Sequence, residues 1–160
     1  MIKMILCSDV TGAIGKDNDL LFHIKEDMEF FKEMTIGHKV VMGYNTWLSL
    51  PKKPLPKREN YVLYNGKEDV REKGMVVLTS IDDVKKLAEI DDIIIIGGAM
   101  LYNTMLKLDL VDEVYLTLIS GYNEADAFVD LFELGKKLKY REFVKELNYK
   151  LDAHIYKFYR

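Results

Sequence analysis

The sequence predicts an α/β fold whose sheet has parallel central strands and an antiparallel C-terminal edge. Three observations predict it. Short strands that are apolar throughout, such as "KVVMG" and the start of "DDIIIIGG", belong to sheets covered on both faces. Helical patterns alternate with them along the chain. The last two strand-like segments, "KYREFVKEL" and "DAHIYKFYR", follow one another with no helix between, which suits an antiparallel edge. A length of 160 residues is enough for one domain with a real core, and 49% apolar with 31% charged residues is an ordinary globular composition.

In chain order, "MIKMILCSDV" opens with a strand-like run. "HIKEDMEFFKEMT", residues 23–35, reads as a helix: Ile24, Met28, Phe31 and Met34 recur at three- and four-residue spacing, with Phe30 flanking them. Lys25, Glu26, Glu29, Lys32 and Glu33 gather on the opposite face. Asp27 falls inside the apolar stripe, the face expected to turn inward. Two readings of it stand. An acid in a first helical turn meets free N–H groups and the positive end of the dipole, which lowers its pKa. A carboxyl in a part-apolar cleft is desolvated, which raises it.

"KVVMG" and "NYVLYNG" are short strands, the second closed by an Asn-Gly turn signal, and "GMVVLTS" follows. In "SIDDVKKLAEI" Ser80 is the expected N-cap of a helix, with Asp83 at its third position. "DDIIIIGGAMLYNTML" runs from four isoleucines through two glycines into a helical pattern, and "DEVYLTLIS" alternates as a strand. The closing pair places Phe143, Val144 and Leu147 on one strand segment and Ile155 and Phe158 on the other.

Composition also bounds the function. A formal net charge of -3 argues against broad nucleic-acid binding. No apolar run is long enough for a bilayer, and the N-terminus lacks the basic-then-apolar pattern of a secretory leader. Cys7 is the only cysteine, so no internal disulfide forms, which fits a reducing cytosol. His23, His38 and His154 are too dispersed to suggest a metal cluster, and no metal is expected. The expected location is the cytoplasm, with neither membrane nor nucleic acid as partner.

Ligands of open α/β sheets bind at the carboxyl ends of the strands. Three segments put chemistry there. In "IIIIGG", Gly97 and Gly98 permit a close backbone approach, and the following helix offers N–H groups to a phosphate. The G-x-G-x-x-G fingerprint is missing, so a plain turn into a helix also explains the pair. In "VVMGYNTWLSL", Gly43 ends a strand, Asn45 or Thr46 can cap a helix, and Trp47 reads as core. "PKKPLPKREN" is either a solvated charged loop or a proline-stiffened arm that presents the Arg58 fork to a carboxylate.

Together "GAIGKDNDLLFHIKEDMEFFKEMT", "VVMGYNTWLSL", "KPLPKRENYVL", "IIIIGGAMLY" and "VYLTLISGYNEADAF" resemble dihydrofolate reductase, in order and over nearly the whole chain. The resemblance implies a single domain over residues 1–160, with a roughly eight-stranded, mostly parallel sheet and about four helices. It implies a monomer that reduces 7,8-dihydrofolate to tetrahydrofolate, with NADPH delivering hydride to C6 and a proton added at N5. Asp27 then meets the amidine-like edge of the pterin and Thr117 hydrogen-bonds that carboxylate. Ile5, Met28, Phe31, Leu50, Leu55 and Ile96 line the pterin and benzoyl portions, and Arg58 grips the α-carboxylate of the glutamate tail. Cys7 and Ile14 lie beside the nicotinamide, under a closing loop that contains Gly15, Asn18 and the catalytic position Phe22. Gly12 and Gly15 give this loop hinge-like freedom, and Asp126 holds it closed from a neighbouring loop. The rest of the cofactor meets Gly43, Tyr44, Asn45 and Thr46, then Leu63, Tyr64, Asn65 and Thr79, then Gly97, Gly98, Ala99, Met100, Leu101 and Tyr102.

Two departures from the family pattern matter. Leu21-Phe22 replaces a Pro-Trp pair, so Phe22 fills space but cannot donate an indole N–H to a water. Tyr44, Asn45, Tyr64, Asn65 and Met100 stand where arginine, histidine, lysine or serine usually hold the adenosine 2′-phosphate. NADPH is the expected cofactor, with NADH as an alternative reductant. Two other readings remain at this point: a related-fold reductase of riboflavin synthesis, which Asp27 and Arg58 disfavour, and a non-catalytic binding or structural relative.

Overall fold

The computed structural model describes residues 1–160. Strand β1 (Ile2–Asp9) leads into a hairpin of β2 (Ala13–Lys16) and β3 (Asp19–Leu20), then α1 (Lys25–Thr35). There follow β4 (Lys39–Gly43), α2 (Tyr44–Ser49), β5 (Glu59–Leu63), β6 (Met75–Leu78) and α3 (Ile81–Ile90). The second half runs β7 (Ile93–Gly97), α4 (Ala99–Lys107), β8 (Glu113–Ile119), β9 (Ala127–Phe128), α5 (Leu131–Lys137), β10 (Tyr140–Glu146) and β11 (Ala153–Tyr159).

Eight strands form one sheet in the order β10-β11-β8-β1-β7-β4-β5-β6. Neighbours from β8 to β6 pair in parallel, while β11 and β10 add antiparallel ones, as the sequence predicts. Two features exceed the expectation. β3, β2 and β9 form a second, three-stranded sheet, and α5 is a fifth helix. Seven residues interrupted by Gly135 make too short a pattern to read as a helix, yet the Asp130 carboxylate caps it by accepting from the Glu133 N–H at 3.0 Å.

The isoleucine run shows why both faces are covered. Ile93 and Ile95 point into a core shared with α3, α4 and α5 through Val84, Leu101, Met105 and Leu134. Ile94 and Ile96 point the other way, toward Phe22, Ile24 and Phe30 around α1. A third cluster packs Val40, Met42 and Val62 against Trp47 of α2, whose fully buried indole donates to Glu72 at 2.8 Å. At roughly 1.5–3 kcal/mol for each fully buried aliphatic side chain, the alternation holds helices on both faces. Phe143 and Val144 are exposed instead, because β10 is the outermost strand; Leu147 and Ile155 are buried. Ser80 caps α3 as read, accepting from the Asp83 N–H at 3.2 Å.

The inward face of α1 differs from the expected stripe. Phe30 and Thr35 are its buried residues, Phe31 and Met34 are half-buried, and Met28 is 58% exposed. The face runs Asp27, Phe30, Phe31, Met34, Thr35, a spacing of three, four, seven and eight. Met28 lies at its rim. Phe30, rather than flanking, meets the Tyr115 ring at 6.0 Å. Turning the face by this amount moves Asp27 toward its centre.

Candidate active site

Asp27 sits in the first turn of α1 over the ends of β1 and β8. Its Oδ1 accepts from the Thr117 hydroxyl at 2.5 Å. Thr117 and Cys7 are register partners on adjacent strands, so both face the same carboxyl. Burial raises the Asp27 pKa above the ordinary carboxylate value, while hydrogen bonds from Thr117 and Cys7 pull it back in part. Asp27 does lie in the first turn, but desolvation outweighs that position, and the shift is in the direction expected of a carboxyl in part-apolar surroundings. Burial, with Asp27 alongside, pushes the Cys7 thiol up, so it stays protonated and inert as a nucleophile. Thr117→Val removes the hydroxyl donor and is expected to raise the Asp27 pKa further; an upward displacement of the acid-side inflection in a pH–rate profile checks this.

At the far end of the same helix face lies Arg58. Its Nη1 donates to the Thr35 hydroxyl at 3.0 Å and its Nε to the Pro56 carbonyl at 2.9 Å. No carboxylate of the chain pairs with it, although burial already pushes its pKa down. Asn60 holds the loop that carries it. Its side chain, 2% exposed, accepts from the Leu55 N–H and donates to the Leu55 and Arg58 carbonyls, each within 3.0 Å. Eight residues separate Asp27 from Thr35, about 12 Å along a helix axis. An acid and an unpaired cation thus bracket a stretch of α1. Ile5, Phe31 and Ile96 pack in the cluster beneath it, and Leu50 and Leu55 in the adjoining one.

Ile96 belongs to both clusters because it is the extra residue of a bulge: Val41 pairs Ile95, and Met42 pairs Gly97. Gly97 follows with φ +140 and a cis bond to Gly98. A Cβ on either glycine would stand 3.1 to 3.2 Å from the Thr46 hydroxyl. Gly43 faces this peptide across the strand ends, its own missing Cβ 4.0 Å from Gly97 O and Gly98 N. The first N–H groups of α4, at Ala99, Met100 and Leu101, have no partner within the helix. Close backbone approach, free amides and a hydroxyl make a cradle suited to a dinucleotide pyrophosphate. The side chains of Leu101 and Tyr102 turn into the core, and the Tyr102 hydroxyl donates to the Ile5 carbonyl at 2.7 Å. Beyond the cradle Tyr44 and Tyr64 meet edge-to-face with centroids 4.9 Å apart, Asn45 and Asn65 are exposed, and the Thr79 hydroxyl is taken by Asp83. Leu63 is half-buried against the core on the other side of the sheet.

The segment expected to be a closing loop is the β2–β3 hairpin. Asp17 and Asn18, both at positive φ, form its two-residue turn. The Asn18 amide donates to the Asn45 carbonyl at 3.3 Å, which brings the hairpin tip to α2. Asp126 accepts from the Asp17 N–H at 3.0 Å. The two glycines differ in role. Gly12 has φ +88, and a Cβ there would lie 2.2 Å from the Val129 carbonyl oxygen. Gly15 is extended strand, and its bareness admits the Asp19 carbonyl. Ile14 and Phe22 are buried, Phe22 beside Ile5 and Ile24.

Four features escaped the sequence reading. Thr35 follows Asp27 on the helix face and could have been found from that spacing. Asn60, the Ile96 bulge and the Tyr102 hydroxyl bond carry no local signal, because each is defined by a partner distant in sequence.

Comparison with known proteins places the chain in a family. The family model for dihydrofolate reductase matches residues 1–158. The dihydrofolate reductase of Ureaplasma parvum serovar 3 is 31% identical over 148 residues, covering 90% of this chain and 94% of the relative. That of Bacillus subtilis is 35% identical over 134 residues, 83% of this chain and 77% of the relative. Among solved structures, the dihydrofolate reductase from Enterococcus faecalis complexed with NADP(H) and RAB-propyl superposes with a TM-score of 0.82 at 26% identity, over 100% of this chain and 96% of that one. With its cleft acid, its diglycine cradle and a family match that runs almost from end to end, the chain belongs to the dihydrofolate reductase family.

Proposed function

We propose that the chain reduces 7,8-dihydrofolate to 5,6,7,8-tetrahydrofolate with NADPH, as one domain over residues 1–160, a monomer in the cytoplasm. The observation that carries this is the half-buried Asp27, paired with the buried Thr117, at one end of the α1 face and the unpaired Arg58 at the other. A ligand with an amidine-like head and a carboxylate tail satisfies both. NADPH, when bound, supplies the hydride that reaches C6. The chain's residues bind, orient and hold a proton. Asp27 accepts from the pterin's amidine edge and supports protonation at N5, Thr117 orients the carboxyl, and Ile5, Met28, Phe31, Leu50, Leu55 and Ile96 exclude water along the ring system. Gly43 to Thr46, Leu63 to Asn65, Thr79 and Gly97 to Tyr102 hold the dinucleotide, with Cys7, Ile14, Gly15 and Asn18 at its nicotinamide end. Phe22 closes the wall without a donor. No helix is long and apolar enough to cross a membrane.

A steady-state assay with dihydrofolate and NADPH, with tetrahydrofolate identified as product, tests the reading; folded protein without turnover overturns it. The same assay with NADH tests the phosphate subsite. Each charged hydrogen bond absent there forgoes about 1.5–3 kcal/mol, so the ratio of kcat/KM for NADPH over NADH is expected to be narrow, and the NADH arm measurable.

A further inference from the structure

Asp9 takes no part in the chemistry above, yet it is the most heavily used carboxylate in the molecule. It ends β1 and is fully buried. Oδ1 accepts from the Thr11 N–H at 2.8 Å, the Thr11 hydroxyl at 2.6 Å and the Ala13 N–H at 3.1 Å. Oδ2 accepts from the Asn123 N–H at 2.7 Å and its side-chain amide at 3.1 Å. Burial alone would push its pKa up, but these donors hold it below the ordinary value, so it stays ionised. One side chain therefore stitches the start of the β2–β3 hairpin to the connection after β8.

The β2–β9 ladder also joins these segments, with the Asp126 N–H donating to the Gly15 carbonyl at 3.0 Å and the Val129 N–H to the Gly12 carbonyl at 2.8 Å, and they meet once more at the hairpin tip, in different surroundings. There the Asp17 N–H donates to Asp126 at 3.0 Å and Lys16 pairs with Glu124 at 2.8 Å, all at exposed or half-exposed positions. Exposed pairs of this kind contribute little and exchange readily with water. A fully buried carboxylate does not, since releasing its donors leaves the charge, and the buried Ala13 N–H, without partners.

We infer that Asp9 is a positioning residue: it fixes the start of the β2–β3 hairpin against the start of the β8–β9 connection, outside the span of the β2–β9 ladder, and so holds both segments in place over the cleft. Its amide is no substitute. In Asp9→Asn one oxygen becomes a donor that faces donors, whichever way the group turns. The inference rests on the hairpin lying over the nicotinamide end of the cleft, and hydrogen exchange on the free protein reads it without reference to turnover.

The experiment compares Asp9→Asn, Asn123→Ala and Asp126→Ala by amide exchange and by steady-state kinetics. Both Asp9→Asn and Asn123→Ala are expected to accelerate exchange roughly tenfold or more across residues 11–16 and 122–127 together, with β1 and β8 still protected. Asp126→Ala is expected to accelerate exchange at residues 15–18 alone. In kinetics, the first two variants are expected to raise KM for NADPH several-fold while KM for dihydrofolate holds. Faster exchange in the hairpin without the 122–127 segment overturns the coupling. A uniform loss of protection, with KM values per folded molecule unchanged, reduces Asp9 to ordinary core support and also overturns it. Should Asp9→Asn not fold, Asn123→Ala removes the side-chain donor from the loop side and decides the same question. Wild-type protein inactive on dihydrofolate would refute the proposed function but leave the exchange result to judge Asp9.

Discussion

Asp27→Asn is expected to lower turnover of dihydrofolate at neutral pH by at least about tenfold, the lower end of what a lost acid–base group removes. The amide keeps the size of the side chain and its oxygen can still accept from Thr117, so the cleft should not collapse. What is lost is a group that carries charge toward the amidine edge and holds a proton near N5. Cofactor affinity should stay nearly unchanged, because the diglycine cradle lies on other strands. The deficit should shrink as pH falls, since solvent protons then become abundant enough to reach N5 unaided. Turnover equal to wild type at neutral pH would remove Asp27 from the mechanism.

The same substitution is expected to stabilise the protein at neutral pH. The folded-state pKa of Asp27 is raised, so the folded state binds its proton more tightly than the unfolded chain does. The ionised carboxyl therefore opposes folding above the folded-state pKa. That penalty fades as pH drops through the raised value and is absent below the ordinary carboxylate range. A Tm gain for Asp27→Asn should accordingly appear at neutral pH and vanish in acid. A gain that persists unchanged in acid would point to packing rather than to charge.

Much of this arrangement is legible in the residues themselves. The Ile93–Ile96 run announces a strand with two covered faces, and the glycines after it announce a close approach at a strand end. Asp27 is out of place among apolar neighbours, which is how helical periodicity singles it out as a candidate. The direction of its inward neighbours was less legible. A stripe through Met28 and a face through Phe30 differ by a fraction of a turn, and only contact with Tyr115 selects between them. Features that depend on long-range partners carry no local signal: Asp9 reaches Asn123, and the β2–β9 pairing joins segments more than a hundred residues apart, while the Thr117–Asp27 contact is expected from the family resemblance alone. The Leu131–Lys137 helix does carry a start signal, Asp130 with Glu133 three residues on, but seven residues interrupted by Gly135 give too short a periodicity to separate it from a turn.

Arg58→Ala is expected to weaken dihydrofolate binding by roughly ten- to a hundredfold or more, the equivalent of one charged hydrogen bond at about 1.5–3 kcal/mol, or of two where the fork engages both oxygens. The guanidinium is already positioned: Thr35 and the Pro56 carbonyl hold two of its N–H groups, and Asn60 holds the loop. Because this ordering precedes ligand binding, little of the interaction is spent on immobilising the side chain. It has also been partly desolvated without a counter-charge, so a carboxylate finds a cation that lacks its full hydration. The loss should fall on the tail alone. A pterin without the glutamate tail should bind Arg58→Ala and wild type nearly equally, and kcat at saturating dihydrofolate should change little, because the group lies a helix face away from Asp27. Lysine should restore only part of the affinity, since it offers a point charge in place of a planar fork. Equal losses for the full substrate and the tail-less pterin would mean that Arg58 supports the cleft wall rather than the carboxylate, and would break the link between the two ends of α1 on which the substrate assignment depends.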